Sequence, residues 1–421
     1  MKKNSLFQRI ETFVILGLLA FFYLKDISSV PFHIDESHWI GTSYMFEAYF
    51  KGEFWSDAWR DNQHTVTNPP VPRYIIGLSR FLAGYRIPDL NRAWDYTRNV
   101  NYNVRMGAMP SDALLWWSRL PMALLAILSI WIGFFFIKKI GGRIPAYIWI
   151  LFGCVSSYFL LQMRHAMAES PILFFVMLGA LLCYQAVKTI HDEADGVRRK
   201  AVFWLILAGV CLGLAGEAKI NGLAVLTGVV FSLLIVFWKK REAIGPKIRQ
   251  VVLLSALVTI VAGVVFVGSY PYLWPDPLGR TIRVLQNRVD EMQYQSVHHA
   301  PDALNTLSQK LTIIPMRIFN DYAVLNFNGA IILNVLLTLL GLGLVLIQLK
   351  TWLRNEDGKD GAAALTLLCV AVTASVPSLF TLLDWDRYYL FPVFFSSMLI
   401  AIAMGWLLQK LLAFFLRYRG G

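Results

Sequence analysis

The chain is poor in charge. Of its 421 residues, 16% are Asp, Glu, Lys or Arg, while 57% are hydrophobic. A soluble domain carries about 25% charged and 45–50% apolar residues. The deficit excludes an ordinary water-soluble domain and points to lipid as the solvent. Cysteine is scarce too. Cys154, Cys183, Cys211 and Cys369 all lie in apolar runs and lack metal-ligand spacing. They read as small core residues, with no disulfide framework. Internal repeats, low-complexity tracts and splitting linkers are missing, so residues 1–421 read as a single integral membrane domain. No N-x-S/T triplet occurs in the outer segments, which argues against a protein of the endoplasmic reticulum.

What remains is apolar sequence in long runs. A hydrocarbon core of about 30 Å needs about 20 residues of helix. Ten such runs lie near 8–26, 117–137, 144–163, 170–188, 202–217, 220–238, 250–269, 330–349, 362–383 and 389–409. The expected fold is therefore an all-α polytopic membrane protein with about ten spans. The first run follows Lys2, Lys3 and Arg9, as a secretory signal would. The "KDISSVPFH" that comes next offers no small-x-small cleavage site, so a retained anchor is expected.

The net charge of +12 would suggest nucleic acid in a soluble protein. Here it sorts by loop, and no nucleic-acid partner is expected. With the N-terminus in the cytoplasm, the segments 1–9, 138–143, 188–200, 239–249, 349–361 and 410–421 hold 21 of the 39 basic residues. Short outer turns hold few. The positive-inside rule supports this orientation. Two long segments, about 28–115 and 270–329, then lie outside. The first contains "RYIIGLSRFLAGYR", which reads as a helix in the membrane interface with its cations toward headgroups. A helix packed on the bundle is the alternative.

Charge reappears at the outer ends of the spans. Asp35 and Glu36 follow the first span in "FHIDESHWIG". Arg119 opens the second. Arg164 and Glu169 lie in "MRHAMAES", Glu217 and Lys219 in "GEAKING", Asp276 and Arg280 in "SYPYLWPDPLGR", and Asp384, Asp386 and Arg387 in "LDWDRYY". Ions at this depth are costly unless paired or facing a wet cavity. Interfacial solvation or simple pairing would account for any one of them. The set together suggests a polar cavity open to the outer face. A carboxylate there can serve as general base, and Arg or Lys can hold a departing phosphate. Group transfer from a lipid phosphate is the reaction that fits. "TNPPVPRYIIG" either forms a rigid corner or presents Asn68 and Arg73 to that cavity. The outer tryptophans 39, 55, 59, 94, 116 and 117 read mostly as an interface belt.

In these motifs and their order the chain resembles the polytopic glycosyltransferases of the GT-C fold. It is most similar to the branch of protein O-mannosyltransferases and aminoarabinose lipid A transferases. "DE" follows span one, "PP" comes later in that loop, and "SRLP" opens span two. "RHAMAES" precedes span four, "AKINGL" span six and "DRYYLFP" the last span. The resemblance implies a polyprenyl-phosphate sugar donor and inverting displacement at the anomeric carbon. It implies Asp35 as catalytic base, Glu36 as its acidic neighbour, and Glu169 as a third acidic site residue. Arg119, Arg164, Lys219, Arg280, Arg387, Asn68 and Arg73 are the candidates for donor phosphate or cavity structure. Asn68 stands where relatives often have His or Lys. No counterpart of the eukaryotic lumenal domain is visible, so a bacterial or archaeal plasma-membrane enzyme is expected, with its site on the extracytoplasmic face. The acceptor is open between protein, lipid and glycan, in contact with membrane lipids. A divalent metal is possible but not required: His33, His38, His64, His298 and His299 are all outer, in no defined metal spacing. The competing reading is a transporter or lipid flippase with a polar outer cavity, whose site would lie nearer the midplane.

Overall fold

The computed structural model describes residues 2–192, 199–239, 244–354 and 360–419. Parts of three expected cytoplasmic loops, at 193–198, 240–243 and 355–359, lie outside these residues. Among the described residues every extended regular element is a helix, and one isolated antiparallel bridge joins Ala303 to Leu383.

The short helices of the first long segment come early. After α1 (Lys2–Leu24) follow α2 (Ile34–Gly41), α3 (Met45–Phe50), α4 (Gln63–Thr67), α5 (Val71–Leu82) and α6 (Val100–Arg105). The bundle continues with α7 (Asp112–Gly141), α8 (Arg143–Val155), α9 (Ser157–Gln162), α10 (Glu169–Asp192), α11 (Arg199–Ala218), α12 (Val225–Lys239) and α13 (Ile244–Gly268). A second long segment carries α14 (Pro277–His298) and α15 (Leu307–Met316), and α16 (Ala330–Leu353), α17 (Gly361–Leu379) and α18 (Leu390–Arg419) complete the bundle.

Nine described helices are long and apolar enough to cross a membrane. The span expected at 144–163 differs. It is broken into α8 and α9 at Ser156, whose extended backbone ends one helix and whose Oγ accepts from Phe159 N to begin the next. The two pieces together carry the chain from the level of Glu11 to that of Glu36. At one end Lys138 and Arg143 pair with Glu11 of α1. At the other, Ala166 N donates to Glu36, beyond the far end of α1. About 20 residues at 1.5 Å each cover that distance.

The helix α5 reverses the expectation for its charges. Its cations do not face headgroups. Arg73 and Arg80, seven residues apart and so on one face, are both fully buried. Arg80 grips Glu47 with two nitrogens, at 2.6 and 2.8 Å, and donates to Ser43 Oγ at 2.7 Å. The outward face carries Leu78, Phe81 and Leu82. A helix beside lipid gains by turning its apolar face out and satisfying its ions within the protein. The contact is close: a Cβ on Gly77 would come within 2.3 Å of Phe46 Cβ, so only glycine allows this approach.

Candidate functional site

The two carboxylates of "DE" are consecutive on α2, so they point in different directions and meet different surroundings. Glu36 points inward at the start of α2. It accepts from His33 N at 3.0 Å, from Ala166 N at 2.8 Å, and from Arg119 at 2.6 and 2.8 Å. Arg119 spends its remaining donors on the carbonyls of Ile27, Val30 and Pro31. Both side chains are fully buried. The pair clamps the linker after α1 onto α7. Neither residue reaches open space, so the structure does not bring Glu36 or Arg119 to a substrate.

Asp35 faces the other way, into a cavity of about 670 Å³. One carboxylate oxygen pairs with Arg387, and the other accepts from Tyr96 Oη at 2.8 Å. Burial pushes this carboxyl up. The charges of Arg387 and His33, with the Tyr96 hydrogen bond, outweigh that and hold it well below the usual carboxylate range.

Glu169, at the first position of α10, and Lys219, just past α11, meet in the same cavity at 2.5 Å. Helix α14 adds a third pair, Arg288 with Glu291 at 2.7 Å. The three cations share one neighbour. Arg288 donates to Tyr388 Oη at 2.9 Å, and Lys219 and Arg387 each sit 5.8 Å from the Tyr388 ring centre. Every cation around Tyr388 is thus matched by a carboxylate. The turn that carries Arg387 is pinned by its own acids. Asp384 takes two nitrogens of Arg317, and Asp386 accepts from Gln162 Nε2 at 2.6 Å.

Of the ten expected site residues, Asp35, Glu169, Lys219, Arg387 and Asn68 line the cavity. Arg73 lies behind its wall. It donates to Thr42 Oγ1 and to the Asn68 carbonyl, and leans on the Trp39 ring. The "PP" corner therefore presents Asn68 but not Arg73. Arg164 is turned to the carbonyls of Lys25 and Leu160. Arg280 caps a separate cavity of about 170 Å³ beside Trp55 and Trp59, and donates to the Tyr272 carbonyl. These placements remove Arg119, Arg164 and Arg280 from the wall, because each is consumed by backbone carbonyls or a buried acid. Glu217 is also buried away from it, and neither of its oxygens has a hydrogen-bond partner among the described residues. Asp276 serves as the N-cap of α14.

Sequence reasoning missed Arg288, Tyr96 and Tyr388. Arg288 sits in a long outer segment without a motif, and only the spacing Arg288–Glu291–Gln295 on one helix face hints at it. His38 and His64 also line the cavity, their ring centres 4.8 Å apart. Among the described residues no group of three or more His, Cys, Asp or Glu side chains converges as a metal site.

Residues 38–270 match the family described as dolichyl-phosphate-mannose-protein mannosyltransferase. A Candida albicans protein, dolichyl-phosphate-mannose–protein mannosyltransferase 2, is 24% identical over 230 residues, which is 54% of this chain and 27% of that protein. The chain thus aligns with about a quarter of that relative's length. The structure of ArnT from Cupriavidus metallidurans bound to undecaprenyl phosphate superposes with a TM-score of 0.53 at 15% identity, covering 94% of this chain and 60% of that one. The Archaeoglobus fulgidus oligosaccharyltransferase tethered with an acceptor peptide gives 0.51 at 12% identity, covering 97% and 51%. The expected multi-pass GT-C fold is thereby met. With more than half of its length matched, the chain belongs to the dolichyl-phosphate-mannose-protein mannosyltransferase family.

Proposed function

We propose that this protein is an inverting glycosyltransferase. It moves a sugar from a polyprenyl-phosphate donor to an acceptor hydroxyl at the extracytoplasmic face of the plasma membrane. The observation that carries this is the convergence of Asp35 with Lys219, Arg387 and Arg288 around Tyr388 in one cavity. The position of the cavity at span ends, with Asp35 beyond α1 and Lys219 just past α11, favours this reading over a transporter with a midplane site.

The chemistry follows from the pairing. The donor phosphate competes for the three cations, each of which can give it a charge-assisted hydrogen bond. Arg387 leaving Asp35 removes the charge that depresses that carboxyl. Asp35 then becomes a better base for the acceptor proton. The acceptor oxygen forms a bond to the anomeric carbon from the face opposite the phosphate. The bond from that carbon to the phosphate oxygen breaks, and its electron pair leaves with the phosphate. The cations stabilise that charge as it develops. Glu169 acts by holding Lys219 rather than by touching the reacting atoms. The acceptor class (protein, lipid or glycan) is not fixed by these contacts.

The test is transfer by purified protein in detergent, using undecaprenyl-phosphate-linked mannose, glucose and aminoarabinose with a mixed acceptor extract. Release of undecaprenyl phosphate, dependent on acceptor, supports the proposal. Failure to bind undecaprenyl phosphate at all overturns it. Sidedness is tested with Glu53→Cys, at an exposed loop position, in a cysteine-free background. Labelling by a membrane-impermeant maleimide in intact cells is the expected result. Labelling only after the membrane is opened would place the cavity on the other side.

A further inference from the structure

The cavity has a second polar region, lined by imidazoles instead of ion pairs. His38 follows Asp35 by three residues on α2, so the two share a face about one turn apart. His64 comes from α4 and faces His38 at 4.8 Å. Arg73, buried behind them, places a nitrogen 3.2 Å from His38 Nε2. A guanidinium donates and cannot accept. His38 Nε2 therefore holds its lone pair toward Arg73, and the single proton of the neutral ring is on Nδ1. Burial, and then the charge of Arg73, push both imidazoles toward the neutral form, His38 down to about 3. His64 Nδ1 is buried and has no hydrogen-bond partner among the described residues. Two neutral rings cannot compete for phosphate with Lys219, Arg387 and Arg288. They can offer a donor and an acceptor side by side, and a hydroxyl group needs both. Asn68 and Trp94 also line this cavity, with a side-chain amide and an aromatic face.

We propose that His38 and His64 form the subsite for a hydroxyl-bearing sugar ring of the donor, set beside Asp35 and apart from the cations that take the phosphate. The pair determines which sugar is accepted. Arg73 is a positioning residue: it fixes the His38 tautomer and so decides which ring nitrogen donates. This inference rests on the donor reading above.

The experiment compares two ligands on the same protein: bare undecaprenyl phosphate, and the undecaprenyl-phosphate sugar of the panel that the wild type binds most tightly. Binding is read by tryptophan fluorescence, with thermal stability measured in parallel. His38→Phe and His64→Phe should each weaken the sugar-bearing ligand by about tenfold, the worth of one neutral hydrogen bond. Bare phosphate should change less than twofold. His64→Asn, which keeps a donor and an acceptor, should recover part of the loss. Equal loss for both ligands means a structural role and overturns the proposal. No loss for either, with a raised acceptor KM instead, assigns the pair to the acceptor and also overturns it. A wild type that binds bare phosphate as tightly as every sugar form has no sugar subsite, and the proposal falls while the phosphate site stands. A wild type that binds neither ligand removes the donor reading itself.

Discussion

Asp35 and Glu36 are neighbours in sequence, and each is paired with an arginine. Everything else about them differs. Glu36 and Arg119 are sealed in protein, with the carboxylate and guanidinium saturated by backbone groups. Asp35 and Arg387 are partly open to a cavity, their side chains 21% and 13% exposed. A saturated pair has nothing left to offer a substrate. An open pair can exchange partners. Adjacent acids at a helix start thus differ in place, one fixing the loop and one facing the cavity.

The largest effect that would break this comparison is on turnover. Asp35→Asn should lower turnover by about 10²–10⁴-fold, the span for a positioned base, with the protein still folded although the stability of the Arg387 pairing is lost. Turnover within threefold of the wild type would remove Asp35 from the chemistry. Arg119→Leu should do the opposite. It strands a buried carboxylate, and breaking such a pair costs about 3–5 kcal/mol. Loss of thermal stability or of folded yield in detergent is the expected readout; a stable variant with altered donor affinity would make Glu36–Arg119 part of the site. Arg288→Ala is intermediate. Loss of one charge-assisted bond, about 1.5–3 kcal/mol, should weaken undecaprenyl phosphate binding by about 10–100-fold while the fold is kept.

The smallest effect is in pH. The depressed pKa of Asp35 means its pairing stabilises the fold above the unfolded carboxylate value. That stability is lost only as pH falls through the lower folded value. Between pH 5 and 8 the free protein should therefore show no stability change from this group. If, as proposed, donor phosphate draws Arg387 away, the carboxyl rises. The acid limb of kcat should lie at higher pH than that of kcat/KM. Coincident limbs would mean that Arg387 stays on Asp35 through the reaction.

The order of the spans was readable from hydropathy because lipid demands long apolar runs, whatever packs against them. Asp35, Glu169, Lys219, Arg387 and Asn68 were readable because each stands at a span end or corner, where charge or amide is expensive without a use. The broken span at Ser156 was hidden, since α8 and α9 are apolar on both sides of the break. The inward cations of α5 were hidden for another reason. Basic residues on an apolar helix look like headgroup anchors, and their true partners, Glu47, Ser43 and Thr42, belong to residues 42–47 of the preceding part of the chain. Arg288 needed α14 to be laid over the cavity before its role could be seen. Glu36 and Asp35 could not be told apart by type; only the position of Ala166 and Arg119 does so.

The matching of three cations with three carboxylates around Tyr388 has a consequence for the catalytic cycle as a whole. The cation cluster is electrically balanced by the protein's own carboxylates. A bound phosphate brings surplus negative charge, and three carboxylates lose part of their compensation together. In the proposed reaction, an acceptor proton arriving on Asp35 would cancel one of those charges as the sugar moves. On that proposal, departure of polyprenyl phosphate would let Arg387 return to Asp35, and that attraction would expel the proton. The same electrostatic force that loads the site would then reset it, and the proposed reaction predicts one proton released from the cavity in each round of transfer.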